Sequence, residues 1–543
     1  MRLQHVVTSH VVILAGVALA AGSGLAQTTW YVDDDACPGP GSGTAADPFC
    51  KIQDGINAAV RGDTVLVLPG TYLENIALVG KGITLRSDGD GNPATHDIAP
   101  DTTIIDGQQL GSVVTFTSTS DLEDSVLEGF TITNGQADYG GGICCNSNTA
   151  PVISRNVVSS NEPNLFARSC GGGIYCCASE PVITENTIRN NLAAKGGGIA
   201  IACGSAAVIK DNTIAENDWA LYGGGIYCDD SFCLVLGNLI AGNMLGTKLS
   251  RGDGGGLCCQ HSVVVVDDNV FANNSTYMGE DIGLGGGISC VDTTAVLDNN
   301  TLVMNMTRNY GGGLYIYNST VTLNSCILWA NEAYDEGDQI YGDAEVAYCD
   351  VQGGCPGIGN IDSDPLFTDS DGPDDDPWTW EDNDLHLLAG SPCIDAGAPG
   401  TDRCTDKDYF GNPRVLDHQA TFEPRIDMGA HEVDHVHLEV TGNATPGSTL
   451  TFTTSGTPAF HVWLFVGTAP GAACFGRYGA LFLDFSRPWL VLFWGRIPLS
   501  GSFDVTVAVP ATMPVPTPLV FQELGRYAGN WGNTSNPVEI AIQ

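Results

Sequence analysis

The chain has 543 residues, 69 of them glycine, and a formal net charge of −42 from 63 acidic against 21 basic side chains. So long a chain exceeds one ordinary core, and so few Lys and Arg exclude a nucleic-acid binder, which needs clustered cations. Abundant glycine with only 15 % charged residues fits a turn-rich β protein rather than a helical one. The acidity itself serves solubility or a salty medium, with calcium binding as the functional alternative.

Residues 1–26 have the layout of a secretory leader: Arg2, an apolar run from Val11 to Ala21, then Gly24-Leu25-Ala26 before Gln27. The run is too short for a transmembrane helix, and no later stretch is apolar enough to span. The expected product is a secreted or cell-surface monomer with no membrane span after the leader is removed. Residues 27–106 are assigned to an N-terminal cap and first coils. There Ile52, Ile56, Ala59 and Val60 predict a short amphipathic capping helix, and strand segments follow through Gly62 to Tyr72, Ile83 to Leu85 and Thr103 to Asp106.

Residues 107–349 carry a repeat. Three glycines followed by Ile or Leu begin at Gly140, Gly171, Gly196, Gly223, Gly254, Gly285 and Gly311. Each triplet is followed 15 or 16 residues later by Asn-x-apolar-x-x-Asn, starting at Asn156, Asn186, Asn212, Asn238, Asn269 and Asn300, with Cys326 standing first in the last copy. The closing residue is always Asn: Asn161, Asn191, Asn217, Asn243, Asn274, Asn305 and Asn331. A fixed period of this size means stacked units too small to bury a core alone. Strand alternation after each triplet turns Cys145, Cys176, Ile201, Cys228, Cys259, Cys290 and Ile316 inward together. Parallel thiols do not converge as metal ligands must, so they are predicted to be core residues. Three short strands with short connections describe one coil of a parallel β-helix, because a βαβ unit would need a helix between its strands.

These residues resemble the right-handed parallel β-helix, pectate lyase-like superfamily, and the Gly-Gly-Gly-Ile plus Asn repeat is similar to that of polymorphic outer-membrane proteins. The resemblance covers about residues 28–350 and implies an all-β solenoid of exported proteins. Residues 350–434 form an acidic, loop-rich segment that resembles the closing segment after such solenoids and should cap the open end. Residues 435–543 alternate as a small β-sandwich, with Trp463, Trp489, Trp494 and Trp531 explicable as core or as sugar platforms.

Three cysteine pairs, Cys37 with Cys50, Cys349 with Cys355 and Cys393 with Cys404, lie close in sequence among Pro, Gly and Asp and suit loop-closing disulfides. Asp369, Asp371, Asp374 and Asp376 crowd carboxylates as a calcium loop would, without the bidentate Glu of an EF-hand. No cofactor is otherwise expected. Loops before the triplets at Gly196 and Gly223 have 4 and 5 residues between neighbours of 9 and 10, which should leave a notch over the coils starting there. The notch would present Lys195, Asp218, Trp219, Tyr222, Tyr227 and Asp229, walled by Arg168, Lys248 and Arg251. An aromatic floor of mixed charge suits a polysaccharide. The pairs Asp229-Asp230 and Asp267-Asp268 point to opposite faces, and His261 stands alone in the sequence. The chain lacks the Asn-Thr-Asp and Gly-His-Gly motifs of polygalacturonase-like hydrolases and the Arg-x-x-Arg of pectate lyases. The expected function is non-catalytic binding of an extracellular polysaccharide or cell-surface component; the alternative is a lyase or glycoside hydrolase acting on an acidic polysaccharide in the notch.

Overall fold

The computed structural model describes residues 27–433 apart from 90–99, 101, 119–123, 166–167, 247–251, 277–281, 377–378, 389, 400–407 and 410–425, and the backbone of the strands between 436 and 542. The leader and Arg251, Lys248 and Cys404 lie outside the described residues.

Three parallel sheets of 12, 10 and 11 strands wind around one core. In the coil begun by Gly223, Ile226–Asp229 joins the ten-stranded sheet, Phe232–Leu236 the twelve-stranded and Leu239–Ala241 the eleven-stranded. Register is strict: Ile199, Ile226 and Leu257 lie opposite one another in successive coils. The core runs unbroken from Val32 to Val351. The helix Ile52–Ala58 packs Ile52 and Ile56 on its first coil. It ends before Val60, which is 59 % exposed and does not belong to the apolar face.

The glycine triplets mark where coils touch backbone to backbone. A Cβ on Gly224 would lie 2.5 Å from the Gly255 carbonyl oxygen of the next coil, so no larger residue fits. The marker asparagines form two buried ladders. Asn217 donates its Nδ2 to the Ile188 carbonyl at 3.0 Å and to Asn243 Oδ1 at 3.0 Å, and its backbone N–H also meets Asn243 Oδ1, at 3.1 Å. The other ladder runs the same way through Asn212 and Asn238. Beside these, Ser262 and Thr293 extend a hydroxyl ladder.

Four of the inward cysteines, Cys145, Cys176, Cys259 and Cys290, are buried free thiols, as their shared register predicts. Cys228 departs from that prediction. It is bonded to Cys233, which also points inward from the next strand of its coil. Cys37–Cys50 forms as expected, and an unforeseen bridge, Cys177–Cys203, joins neighbouring coils at their outer edge. Cys349 and Cys355 are both free, contrary to the expected pair. The reason lies in the ladder: Cys326 N–H points to Cys349 Sγ at 3.3 Å, and Cys349 N–H donates to Asn360 Oδ1 at 3.0 Å. Cys349 therefore continues the asparagine position of the repeat and is turned inward as a core residue, with Cys355 packed against the core as a second free thiol. Cys393 is a buried thiol within 3.2 Å of Asp350 Oδ2 rather than in a bridge.

The acidic segment meets the last coil, where Ile361 pairs with Asp350, and then runs beside the solenoid. Leu387, Cys393, Ile394 and Met428 pack on Ile327, and Ala430 packs on Ala241, Val270 and Ala272, so the segment lies along the outside of the eleven-stranded sheet. Ala430 N–H donates to Thr301 Oγ1 at 2.9 Å. Small outward residues such as Ala241 and Ala272 make this approach possible. From Val436 to Ile542 the strands are antiparallel, in sheets of three, five and two.

Asn243→Ala removes the acceptor of two Asn217 donors and leaves the Ile214 carbonyl without its amide partner. The expected result is a loss of at least about 2 kcal/mol in urea unfolding of the solenoid; an unchanged midpoint would remove the ladder from its assigned role.

Candidate functional site

Strict register makes the exterior a set of columns. The residue before each triplet occupies one column, in which Cys170, Lys195, Tyr222 and Asp253 are bridged in successive coils. The next outward position of the ten-stranded sheet holds Tyr175, Ala200, Tyr227 and Cys258. Lys195 therefore stands above Ala200, with tyrosines on the adjoining coils.

Its ammonium lies 3.2 Å from Tyr227 Oη and 4.9 Å and 5.8 Å from the ring centroids of Tyr227 and Tyr222. Tyr227 in turn donates to Gln260 Oε1 at 3.0 Å. Sequence alternation turns Tyr227 away from the core, as predicted, yet it is only 1 % exposed because Lys195, Tyr222 and the flanking coils cover it. Burial, reinforced by Asp229, pushes its phenol well above the ordinary value. Burial likewise raises the Cys170 thiol against the opposing pull of Lys195, and raises Cys144 to about 11. With burial outweighing any cationic neighbour, neither thiol is held as the thiolate that a nucleophile requires.

His261 is not alone in space. Its Nδ1 lies 3.2 Å from Asp229 Oδ1 and its Nε2 3.8 Å from Asp292 Oδ2, because Asp229 ends its strand and His261 and Asp292 follow the corresponding strands of the next two coils. Sequence spacing could have found this: each falls six or seven residues after the first glycine of its triplet. Trp219 is 54 % exposed beside the notch, and its N–H donates to Asp218 Oδ1 at 2.5 Å. Arg168 is exposed on the neighbouring loop.

Two clefts that sequence reasoning missed open between the eleven-stranded sheet and the acidic segment. One of about 560 Å³ is lined by Trp329, Glu332, Phe367 and Asp371. The other, about 500 Å³, holds Glu216, Met244, Trp380 and Glu381. Burial, and a hydrogen bond that the protonated Glu381 carboxyl donates to Glu216, raise the Glu381 pKa. A pair in direct contact is closer than the roughly 5–9 Å that glycosidase carboxylates need to flank a sugar bond. In the acidic loop, desolvation and then Asp371 raise Asp369, while Asp374 Oδ1 accepts the Asp376 N–H. Among the described residues no group of three or more His, Cys, Asp or Glu is arranged to hold a metal ion.

Burial raises the Asp218 pKa, opposed by the Trp219 N–H. The folded chain therefore holds a proton that the unfolded chain has already released, so this group favours folding below the usual carboxylate range and loses that contribution as pH rises through the raised value. Asp218→Asn is expected to raise Tm at neutral pH and to have no such effect near about pH 3. A gain of equal size at both would rule out titration as the cause.

Residues 80–302 match the family model described as right handed beta helix region. Among solved structures, pectate lyase Pel9A shares 14 % identity over 76 % of this chain and 98 % of its own, with a TM-score of 0.38. XylC in complex with xylose shares 11 % over 62 % and 87 %, with a TM-score of 0.32. GH136 lacto-N-biosidase from Eubacterium ramulus shares 12 % over 59 % and 68 %, with a TM-score of 0.26. No curated protein matches the sequence. The family match and the three parallel sheets agree on one conclusion: the solenoid of this chain is a right-handed parallel β-helix.

Proposed function

We propose that the protein binds an extracellular glycan at the Lys195 notch without cleaving it. One observation carries this reading: the Lys195 ammonium is already committed to the Tyr227 hydroxyl and to two aromatic rings. A lysine held this way offers N–H donors and a rigid aromatic wall, which suit sugar hydroxyls. It makes a poor general base, since a base must be neutral and free to approach the proton it removes. Tyr227, with its pKa raised, stays a phenol and supplies no base either.

Export fits this reading. The leader-like residues 1–26 and the bridges Cys37–Cys50 and Cys177–Cys203 suit an oxidising compartment. Among the described residues no helix is long and apolar enough to cross a membrane.

A second reading, a lyase or hydrolase, draws on the imidazole of His261 between Asp229 and Asp292. An imidazole held beside two carboxylates on an exposed edge is placed as a general acid or base would be.

The purified chain should retain polysaccharide in affinity electrophoresis. Lys195→Met and Tyr222→Ala should each weaken retention about 3- to 10-fold, the worth of one cation–π or stacking contact. Chelation with EDTA should leave retention unchanged, because the acidic loop of Asp369, Asp371, Asp374 and Asp376 lies beside the eleven-stranded sheet and not at Lys195. Release of unsaturated product or new reducing ends, abolished by His261→Ala, would replace the binding reading with the enzymatic one.

A further inference from the structure

The column that carries Lys195 and Tyr222 repeats its aromatic residue every third coil. Tyr139 precedes the first triplet, Tyr222 the fourth and Tyr310 the seventh. Continuous pairing connects them: Tyr139, Cys170, Lys195 and Tyr222 are bridged in turn, as are Tyr222 and Asp253, Asp253 and Leu284, and Leu284 and Tyr310. Each of the three tyrosines leans on a second one from the neighbouring outward position. Ring centroids are 5.1 Å apart for Tyr139 and Tyr175, 6.2 Å for Tyr222 and Tyr227, and 4.6 Å for Tyr310 and Tyr341. Tyr341 also stacks on Tyr315 at 5.7 Å, with the planes 5° apart.

In the first two pairs one ring is a buried anchor and the other a surface; in the third, Tyr341 is itself half-buried and rests in turn on the buried Tyr315. Tyr175 and Tyr227 are 8 % and 1 % exposed, whereas Tyr139 is 50 % exposed and Tyr222 and Tyr310 are half-buried. A phenol fixed by a buried partner loses little entropy on contact with a ligand. Strands stack about 4.8 Å apart, so the platforms stand about 14 Å from one another and span about 29 Å along a single straight face.

The charge beside this track is acidic. Asp229 ends its strand and Asp230 and Asp292 follow theirs on its edge, Glu336 is exposed in the column after Tyr310, and the exposed Arg168 beside Cys170 offsets only part of this charge. Lys195 is the cation in the column and is shared between two rings. With a chain charge of −42 behind it, such a face repels a polyanion.

We infer that the ligand is an extended, neutral polysaccharide lying along the solenoid axis across all three tyrosine platforms, and not a uronan. This rests on the binding reading of the Lys195 notch and deepens it. A chain that reaches two or three platforms converts later contacts into intramolecular ones, so affinity must climb with length rather than saturate at a few sugars.

The test measures calorimetric affinity for linear neutral β-linked oligosaccharides from disaccharide to dodecasaccharide, beside uronate oligosaccharides of the same lengths. The longest neutral chains should bind about 100-fold or more tighter than the disaccharide, and more tightly than uronates at low salt. Tyr139→Ala and Tyr310→Ala should each cost long chains about 3- to 10-fold and leave the short ones unchanged. That ratio of long to short is insensitive to partial loss of folded protein. Equal affinity at every length, or preference for uronates, would overturn the inference while leaving glycan binding at Lys195 intact. Failure of the unmutated chain to bind any of these glycans would overturn both.

Discussion

The structure depends on what the asparagine ladders allow the turns to do. Each coil bends twice through a residue in the left-handed region immediately before a ladder position, and many of these are ordinary side chains: Arg155, Glu185, Glu216, Met304 and Ala330. Such a conformation costs roughly 1–2 kcal/mol per non-glycine residue. A stacked amide repays this by closing the backbone groups that the bend exposes and by joining its neighbour above and below. The turns thus tolerate wide variation at the bent residue, while the residue after it is Asn through most of the stack and Cys only at Cys326 and Cys349 near its end. Every other regularity, from the apolar core to the outer columns, follows from coils that are held in register at their corners.

Register has a functional side. Stacking that aligns Ile199 over Ile226 inside aligns Lys195 over Tyr222 outside with the same precision. A binding surface on this scaffold is therefore written by the choice of residue in each column and rung, and shaped by loops of differing length beside it. The scaffold sets distance and direction; the chemistry comes from whichever residues the columns present.

How much of this the sequence disclosed differs by level. Triplets and marker asparagines exposed the coil, its three strands and the inward cysteine column, because these signals are local and repeated. The Lys195 and Tyr222 pair was legible from loop length. Burial of Tyr227 was not, since it depends on side chains from adjoining coils that cover an outward residue. His261 looked isolated because its carboxylate partners lie about thirty residues away on either side, one coil up and one down. The Cys349 assignment failed for the opposite reason: a short spacing to Cys355 suggested a bridge, while the ladder had already claimed the residue. The lateral seating of the acidic segment rests on small residues such as Ala241 and Ala272, which carry no pattern of their own.

The change from amide to thiol near the end of one ladder has a directional consequence. Up to Asn300 each rung is tied to the next by an Oδ1 that accepts two bonds near 3.0 Å; beyond it Cys326 offers sulfur at 3.4 Å and 4.0 Å. Contacts in a solenoid are between nearest neighbours, so its opening proceeds as a front rather than everywhere at once. With its weakest rungs at Cys326 and Cys349, the stack has a built-in end from which to unzip. Amide hydrogen exchange would then read as a gradient along the axis, fast at the C-terminal coils and slow toward the middle.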